Sequence, residues 1–322
     1  MPATLSTLEL CAGAGGEALG LELAGIEHAG LIEIDKHACN TLRLNRPKWN
    51  VLEQDLFKFT AASAFKGVDL VSGGLPCPPF SKAGKQLGHL DERNLFPVAI
   101  DIIDQLRPRA VMIENVRGIL DAVFDDYRKQ IKRQLKKLGY EVDWQPLNAS
   151  DFGVPQLRPR VVFVAINKND ADRFEWPTPH KTKAPTVGET LYELMAANGW
   201  KGAKLWKERA DEIAPTIVGG STKHGGPDLG PTRAKRAWES LGVNGHTIAE
   251  DAPAKDFVGM PRLTVQMVAR IQGFPPDWQF SGKKTNAYRQ VGNAFPPPVA
   301  FAVAAQIVKA LLAGRRLMRV AG

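Results

Sequence analysis

The chain has 322 residues, of which 44% are apolar, and this length suffices for a large core plus a smaller lobe. Its net charge of +8 favours a polyanionic partner, although many soluble proteins carry a surplus of this size. The three cysteines have no C-x-x-C spacing and there is no histidine cluster, which argues against a disulfide framework and structural zinc. Without a signal peptide or an apolar run of ~18 residues, we expect a soluble cytoplasmic protein that does not span a membrane.

A glycine-rich loop follows the first apolar segment. Gly13, Gly15 and Ala18 fit the loose pattern G-x-G-x-x-[GA], whose glycines permit a sharp strand-to-helix turn and a close approach of backbone to ligand. Glu33 lies in the next strand-like run, residues 30–34, about 20 residues further on, where an acid meets ribose hydroxyls. This spacing predicts an adenosine-type cofactor and leaves a nicotinamide cofactor and S-adenosylmethionine both open.

A cysteine between prolines follows the apolar run of residues 68–74. Because proline fixes φ and withholds a backbone donor, we expect the turn at residues 76–81 to hold the Cys77 thiol at the edge of the sheet instead of in its core. We therefore predict that Cys77 is a nucleophile. A structural cysteine in a strand-exit loop is the alternative, since free cysteines are commonly buried and inert.

Two later segments place charged side chains at strand ends. Glu114 ends an apolar run at the edge where open α/β sheets bind ligands, and a partly desolvated carboxyl there can stay protonated near neutral pH. Arg158 and Arg160 alternate with other residues, which predicts that they share one face of an extended segment. A solvated strand end and an exposed basic edge strand are the respective alternatives.

Apolar strand-like runs alternate with helical stretches in the first half of the chain. This alternation predicts an α/β fold on a doubly wound sheet. The strands are predicted at residues 8–10, 30–34, 69–71, 110–113 and 161–166, and helices at residues 96–106 and 127–138.

The pattern weakens after residue 178, where the chain becomes rich in Gly, Pro, Lys and Thr, as is typical of a small, loop-rich lobe. Residues 298–312 carry alanines, valines and leucines at helical spacing, which predicts a helix that returns to the first domain. We therefore predict a catalytic and cofactor-binding domain at 1–178, a loop-rich domain at 179–284 and a returning segment at 285–322.

In chain order, these motifs resemble those of the DNA (cytosine-5) methyltransferases over nearly the whole length. The matching segments are the glycine loop, Glu33, residues 54–56, Pro76-Cys77, residues 114–116, the Q-x-R-x-R run at 156–160, Leu263-Thr264 with residues 269–275, and residues 290–294. The resemblance implies a Rossmann-like, S-adenosylmethionine-dependent methyltransferase fold with a target-recognition domain at 179–284. It also implies methyl transfer to C5 of a cytosine within a short, specific sequence of double-stranded DNA.

In this family a cysteine thiolate adds to C6 of cytosine, and C5 of the resulting enamine attacks the sulfonium methyl group. The resemblance assigns the thiolate to Cys77 and recognition of N3 and the exocyclic amine to Glu114. Arg158 and Arg160 would add positive potential, with Arg160 nearest the base carbonyl oxygen. The family flips the base out of the duplex, and residues 81–88 match its catalytic loop, with DNA contacts from Ser81, Lys82, Lys85 and Gln86.

The resemblance further implies S-adenosylmethionine as cofactor, S-adenosylhomocysteine as product, and no metal. Gly13, Gly15 and Gly16 match the contacts to the methionine end, Glu33 to the ribose and Asp55 to the adenine amine, with surrounding contacts from Cys11, Ala12, Ile34, Leu56, Leu95, Asn293 and Ala294. Cys11 stands where many members have an aromatic residue, and Ile34 where some have tryptophan. We therefore expect aliphatic and thioether-like contacts and a weaker affinity for the cofactor.

The loop-rich domain is expected to choose the DNA sequence through major-groove and phosphate contacts. The candidates are Thr216, Lys223, His224, Arg233, Lys235 and Arg236, although ordinary solvated loops and a charged helix face fit each one equally well. Because arginine and lysine pair with guanine, we expect a GC-containing site. Pro261 and Met267 depart from the family's usual arginine and glutamate near Leu263-Thr264, which affects how this domain is organised more than the reaction.

The compact chain is typical of a bacterial or phage modification enzyme, expected to be a monomer that either partners a restriction endonuclease or acts alone. Three other functions stay open. An RNA cytosine-5 methyltransferase of the same architecture usually has a Cys-Phe-Thr signature, which this chain lacks after residue 176. A catalytically silent DNA binder has no need of Cys77, Glu114 and Arg160. A nicotinamide dehydrogenase would explain the glycine loop and nothing after it.

Overall fold

A computed structural model describes residues 4–61, 63–76, 94–219 and 227–320, with side chains as far as residue 314. The chain divides by its backbone contacts into two compact units. The first comprises Met1–Leu147, Pro159–Thr178 and Val299–Gly322, and the second comprises Asn148–Arg158 and Pro179–Pro298. The functional roles predicted for residues 1–178, 179–284 and 285–322 stay predictions.

The first unit is built on a sheet that has seven strands within the described residues. They are β1 (Leu5–Leu10), β2 (Ile26–Glu33), β3 (Val51–Glu53), β4 (Leu70–Gly74), β5 (Ala110–Val116), β6 (Tyr140–Asn148) and β7 (Pro159–Asn167). The spatial order is β3-β2-β1-β4-β5-β7-β6, with the first five strands of that order parallel and β7 antiparallel to β5. The central strands are apolar along most of their length, as burial on both faces requires. The predicted doubly wound α/β fold is confirmed.

The helices of the first unit are α1 (Gly16–Leu23), α2 (Lys36–Asn45), α3 (Phe96–Leu106), α4 (Asp125–Lys137) and α5 (Lys168–Ala171). In α4, Tyr127, Ile131 and Leu135 recur every four residues and are the buried face of an otherwise charged helix. Its first turn is acidic and its last turn basic, which complements the helix dipole. The predicted helices at 96–106 and 127–138 are confirmed.

Two strands, β3 and β6, were not predicted from the sequence. Only three residues long, β3 offers too short a pattern to detect. Strand β6 is an edge strand that buries Tyr140 and Val142 but alternates them with polar residues and contains Pro146. Proline removes a backbone donor, so it is tolerated at the edge of a sheet and argues against a central strand.

The second unit contains short helices joined by long connections. These are α6 (Val187–Ala196), α7 (Ala203–Arg209), α8 (Thr232–Ser240), α9 (Val265–Ile271) and α10 (Lys284–Asn293), and α11 (Pro297–Val320) begins at its end. Large apolar side chains are buried within this unit, among them Trp206, Trp238 and Phe274. Its strand-like pairing in the described part of the chain is limited to isolated bridges, so a loop-rich character fits this unit.

A thioether closes the N-terminus of α9. The Thr264 hydroxyl accepts the Met267 amide at 3.2 Å, and the Met267 sulfur accepts the Thr264 amide at 3.4 Å. This is a capping box with sulfur in place of the usual glutamate or glutamine oxygen. The departure noted at Met267 therefore preserves the local geometry.

Residues Lys284–Gly314, which comprise α10 and most of α11, are together long and apolar enough to cross a membrane by length and composition alone. Half of their most apolar window is buried inside the protein, and core helices of soluble proteins pass the same test. The sequence prediction considered only uninterrupted apolar runs and therefore did not single this stretch out.

An ion pair anchors the C-terminal helix within the first unit. Arg109 donates to both carboxylate oxygens of Asp170 at 3.0 Å, and its Nη2 also donates to the Leu311 carbonyl at 2.7 Å. Asp170 is almost fully buried, and Arg173 Nη1 also lies 3.2 Å from its Oδ1, so its charge is paired with two guanidinium groups. The Arg109–Asp170 pair thus ties the residue before β5 and helix α5 to α11.

We expect Asp170→Ala to lower the free energy of unfolding by about 3 kcal/mol, because it leaves the Arg109 charge with only the longer contact of 3.9 Å to Asp69. Urea denaturation followed by tryptophan fluorescence would measure the change. Asp256→Ala is the matched control, since its ion pair with Lys201 is largely exposed to water and is expected to contribute little stability. Equal midpoints for both variants would contradict the anchoring role.

Candidate active site

The glycine loop between β1 and α1 follows a left-handed backbone path. Cys11, Gly13 and Gly15 have φ angles of 55°, 54° and 86°. The positive φ at Gly13 favours glycine, because side chains rarely adopt this backbone conformation. A Cβ at Gly13 would meet no atom within 4 Å, so the space beside it is open. Cys11 adopts this conformation with a side chain, at a cost of about 1 kcal/mol or more, and strain of this kind clusters at functional sites.

Glu33 fastens the glycine loop to the end of β2. One carboxylate oxygen accepts the Gly13 amide at 2.7 Å, and the other accepts the amides of Ile34 and Asp35 at 2.8 Å each. Burial raises the pKa of Glu33, and these hydrogen bonds act in the opposite direction. Both oxygens are therefore used as acceptors, which makes the loop conformation depend on this carboxylate.

The other residues predicted to bind the cofactor in the first unit are placed around this loop. Burial raises the pKa of the Cys11 thiol, and the nearby carboxylates of Glu33 and Asp55 add to the effect. Asp55 also accepts the Phe57 amide at 3.0 Å and caps the short turn that follows. Ala12, Leu56 and Leu95 are buried, whereas Ile34 is 66% exposed. The structure thus brings Cys11, Glu33 and Asp55 together.

An ion pair joins the end of β5 to the start of β7. Arg160 Nε lies 2.7 Å from Glu114 Oε1, and their side chains are 13% and 7% exposed. A Cβ at Gly74, the last residue of β4, would lie 3.5 Å from the other Glu114 oxygen. The neighbouring Asn115 donates to the Leu75 carbonyl at 3.3 Å. Glu114 therefore lies beside the segment of chain that leads into Pro76-Cys77.

Arg158 has a different environment from Arg160. Its side chain is 0% exposed, and its guanidinium donates to the carbonyls of Ile217 at 2.5 Å, Gly292 at 2.8 Å and Ala294 at 3.0 Å. All of these partners belong to the second unit, as Arg158 itself does. We predicted that Arg158 and Arg160 share one face of an extended segment. Their side chains nevertheless contact different partners, because Arg160 pairs with Glu114 in the first unit.

Two glutamines extend the contacts of Arg158. Gln156 accepts the Ile217 amide at 2.8 Å and donates to Gln272 at 2.7 Å, and Gln272 donates to the Ala294 carbonyl at 2.6 Å. Both glutamines are fully buried. This network fixes the main chain around Ile217 and Ala294. The Arg158 guanidinium, predicted to add positive potential to the site, is thus used as a donor to buried carbonyls of the second unit.

Asn293 and Ala294, predicted to contact the cofactor, lie in the second unit at the end of α10. A Cβ at Gly292 would come within 2.5 Å of the Gly219 Cα, so two backbone segments approach each other closely here. Glycine is required at Gly292 because the neighbouring main chain leaves no room for a side chain.

The candidate DNA-binding residues of the second unit differ in their surroundings. Arg233 and Arg236 are exposed on α8. Lys235 is 20% exposed and forms an ion pair with Asp228 at 2.7 Å, so it is already engaged. The Thr216 hydroxyl donates to the Leu157 carbonyl. Arg233 and Arg236 are therefore better placed than Lys235 to reach phosphates.

Several predicted site residues lie outside the described part of the chain. They are Cys77, Ser81, Lys82, Lys85, Gln86, Lys223 and His224. Within the described residues, His, Cys, Asp and Glu side chains form no group of three that could hold a metal ion.

Sequence reasoning gave no role to Glu17 and did not foresee the Gln156–Gln272 pair. Glu17 is an acid directly after the glycine loop, and the four residues that follow it in α1 are Ala, Leu, Gly and Leu. An acid at the start of such an apolar turn is the signal that could have identified it. The pairing of Gln156 with Gln272 spans 116 residues of sequence, and a local pattern contains no signal for it.

Comparisons with known proteins agree with this geometry. The family model described as C-5 cytosine-specific DNA methylase matches residues 5–309. The chain belongs to this family. It is 52% identical over 315 residues to the Type II methyltransferase M.NgoMIV of Neisseria gonorrhoeae, a match that covers 95% of this chain and 98% of that protein. It is also 52% identical over 313 residues to the Type II methyltransferase M.NaeI of Lentzea aerocolonigenes, covering 96% and 76% of the two chains. The protein is thus a cytosine-C5 DNA methyltransferase.

Solved structures support the fold of this DNA methylase. The Entamoeba histolytica methyltransferase EhMeth matches with a TM-score of 0.67 and 17% identity, covering 97% of this chain and 98% of that one. The Spodoptera frugiperda DNMT2 structure matches with a TM-score of 0.63 and 20% identity, covering 96% and 99%. At these identities the likeness shows the fold alone.

We expect Arg158→Met in this methylase to lower the free energy of unfolding by about 3 kcal/mol or more, because buried carbonyls of Ile217, Gly292 and Ala294 lose their charged donor. Thermal or urea unfolding would measure the loss. Arg236→Met, at an exposed position of α8, is the control and should leave the unfolding midpoint unchanged. A stable Arg158→Met protein with lost activity would instead support direct contact with the substrate.

Proposed function

We propose that this protein transfers a methyl group from S-adenosylmethionine to C5 of a cytosine within a short, specific sequence of double-stranded DNA. The observation that carries the proposal is the Glu114–Arg160 ion pair beside the strand that leads into Pro76-Cys77. An acid and a guanidinium at this sheet edge can recognise the polar edge of a pyrimidine, while the thiol that follows β4 supplies a nucleophile.

The proposed reaction begins when the Cys77 thiolate forms a bond to C6 of the cytosine. The electron pair of the C5–C6 double bond then becomes available at C5. A proton donated by the Glu114 carboxylic acid to N3, and the Arg160 guanidinium near the carbonyl oxygen, offset the charge that develops on the ring. After C5 has accepted the methyl group, transfer of the C5 proton to a base restores the double bond and expels the thiolate, while N3 returns its proton to Glu114. Nucleophilic catalysis thus divides one difficult step into easier ones.

The glycine loop fits S-adenosylmethionine, which when bound supplies an electrophilic methyl group on a sulfonium sulfur. The open space beside Gly13 admits a ligand close to backbone, and the Glu33 carboxylate adjoining it suits ribose hydroxyls. Asp55 offers an acceptor for an exocyclic amine in the same region. We propose the remaining contacts at Cys11, Ala12, Gly15, Gly16, Ile34, Leu56, Leu95, Asn293 and Ala294.

The target base is proposed to leave the duplex, since C5 cannot be reached inside the base stack. Ser81, Lys82, Lys85 and Gln86 would contact the DNA around the emptied position. Arg233 and Arg236, with Thr216, Lys223 and His224, would contribute to binding in the second unit, and Arg158 would position the main chain that carries Ile217 and Ala294. Lys235 acts through its ion pair with Asp228 in this account.

The named relatives are Type II methyltransferases, which supports a place for this enzyme beside a restriction endonuclease, acting on DNA in the cytoplasm. We further propose that it acts as a monomer. We propose a recognition sequence that contains G and C from the arginines and lysines of the second unit, since these side chains pair with guanine. Bacterial modification is thus the proposed context.

We expect tritium from labelled S-adenosylmethionine to appear in double-stranded DNA and not in RNA when the purified protein is present. Cys77→Ser should abolish the transfer, because an alcohol is far less ionised than a thiol at neutral pH. Cys39→Ala, which removes a buried cysteine of α2, is the control and should retain activity. Label in RNA alone would indicate an RNA methyltransferase, and no label in either polymer would indicate a silent DNA binder.

We expect Glu33→Gln to weaken binding of S-adenosylhomocysteine by about tenfold or more, as loss of hydrogen bonds to a charged acceptor predicts. Both Glu33 oxygens accept backbone amides. The NH₂ group of a glutamine at this position would face one of these amide donors, and the repulsion between two donors would displace the loop. Isothermal titration calorimetry would measure the dissociation constant. The exposed Glu53→Gln on β3 is the control, and equal affinities for both variants would contradict the role of Glu33.

A further inference from the structure

Glu17 is a buried acid that the proposed reaction does not use. It is the second residue of α1 and is 4% exposed. Its Oε1 accepts the Gly73 amide at 3.1 Å, across 56 residues of sequence. Its Oε2 is also buried and has no hydrogen-bond partner among the described residues. A carboxyl group in such a place needs a physical explanation, because burial of a charge is costly unless the charge is paired.

The partner of Glu17 lies at a crowded point of the sheet. A Cβ at Gly73 would collide with the Leu10 carbonyl oxygen, so the main chains of β4 and β1 approach each other closely here. Gly74 follows beside Glu114, and Leu75 is held by the Asn115 side chain. Glu17 and Asn115 thus hold Gly73 and Leu75, two residues apart, in the segment that leads to Pro76.

The charged groups around Glu17 are mostly of the same sign. Burial raises the pKa of Glu17, and the carboxyl groups of Glu9 on β1 and Glu114 on β5 raise it further, while the Gly73 hydrogen bond lowers it. Glu9 itself is fully buried and has a raised pKa, with His28 of β2 as its neighbour at 3.7 Å. Arg160 lies beyond Glu114 and is paired with it. The Cys11 thiol is close to the same acids and has a raised pKa.

These surroundings penalise the ionised form of Glu17. The carboxylic acid form still accepts the Gly73 amide, and it adds no negative charge beside Glu114. Ionisation of Glu17 would place a second negative charge near Glu114 and oppose the Glu114–Arg160 pair. The Gly73 hydrogen bond therefore holds the end of β4 without disturbing the end of β5 as long as Glu17 carries its proton.

We propose that Glu17 is a positioning residue for methyl transfer, which holds the end of β4, and hence the chain leading to Pro76, by accepting the Gly73 amide. The inference rests on the proposed function for its kinetic consequence. A merely structural acid at the start of α1 would give stability alone, whereas a positioning acid links the rate of methyl transfer to its own hydrogen bond and protonation state.

The test compares Glu17→Gln and Glu17→Leu with the wild type, and uses Glu27→Gln, an exposed acid of β2, as the control. Glutamine keeps an acceptor for Gly73 and cannot ionise, whereas leucine keeps the volume and loses the acceptor. Single-turnover methyl transfer would be measured across the pH range from mildly acidic to alkaline, together with the thermal midpoint of each protein at every pH.

We expect Glu17→Gln to retain the methyl-transfer rate within about threefold at neutral pH and Glu17→Leu to lose about tenfold or more, since small displacements of a reacting group cost rate steeply. At alkaline pH the wild-type rate should fall while that of Glu17→Gln persists. A Glu17→Leu enzyme as fast as the wild type, or a Glu17→Gln enzyme as slow as Glu17→Leu, would overturn the proposal.

The thermal midpoints give a second, independent readout. Because the pKa of Glu17 is raised in the folded protein, its contribution to stability is present at low pH and is lost as the pH rises from the ordinary carboxyl range through the raised value. The wild-type midpoint should therefore fall relative to that of Glu17→Gln as the pH rises, and Glu27→Gln should follow the wild type. If Glu17→Leu does not fold, parallel midpoint curves for the wild type and Glu17→Gln would still overturn the proposal. A wild type that methylates no DNA would refute the proposed function instead, and the midpoint comparison would continue to decide the state of Glu17.

Discussion

The Glu114–Arg160 ion pair depends on the direction of a single strand. In the antiparallel pairing of β5 with β7, Val116 faces Arg160 and Glu114 faces Val162. Arg160 is thus two positions from the residue opposite Glu114, on the same face, where a long side chain reaches diagonally across the pair. If β7 ran parallel to β5, its first residues would lie at the opposite edge of the sheet. An arginine at its second position could then not reach Glu114. The reversed strand is therefore what allows one edge of the sheet to hold an acid, a guanidinium and the chain leading to Cys77.

Buried carboxyl groups organise the remainder of the same edge. Glu33 holds the glycine loop by using both of its oxygens as acceptors, and Glu17 holds the end of β4 through the Gly73 amide. In each case a buried carboxyl group accepts backbone amides at or near the end of a strand. The cofactor loop and the end of β4 are thus fixed by acids whose pKa values are raised by burial. Three backbone amides oppose that shift at Glu33, whereas Glu17 accepts a single amide.

The sequence predicted those parts of the site that are local in the chain. The glycine loop, Glu33 and the apolar runs before Glu114 and Cys77 each lie within one strand-turn unit, so their spacing carries the information. Arg158 could not be interpreted in this way, because its partners Ile217, Gly292 and Ala294 lie 59, 134 and 136 residues away. Edge strand β6 was not predicted because proline and polar residues interrupt its apolar pattern. The thioether cap at Met267 was not predicted because the capping-box pattern requires glutamate or glutamine at that position.

The central claim is that the sheet edge around the Glu114–Arg160 pair methylates cytosine at C5 in DNA. Bisulfite sequencing of genomic DNA from cells that briefly express the wild type or Glu114→Gln tests it most directly, because the substitution preserves the size of the side chain and removes the charge that pairs with Arg160. We expect protected cytosines in one short sequence motif for the wild type and their loss in Glu114→Gln, with both proteins soluble. Full protection with Glu114→Gln, or no protected cytosine with a soluble wild type, would contradict it.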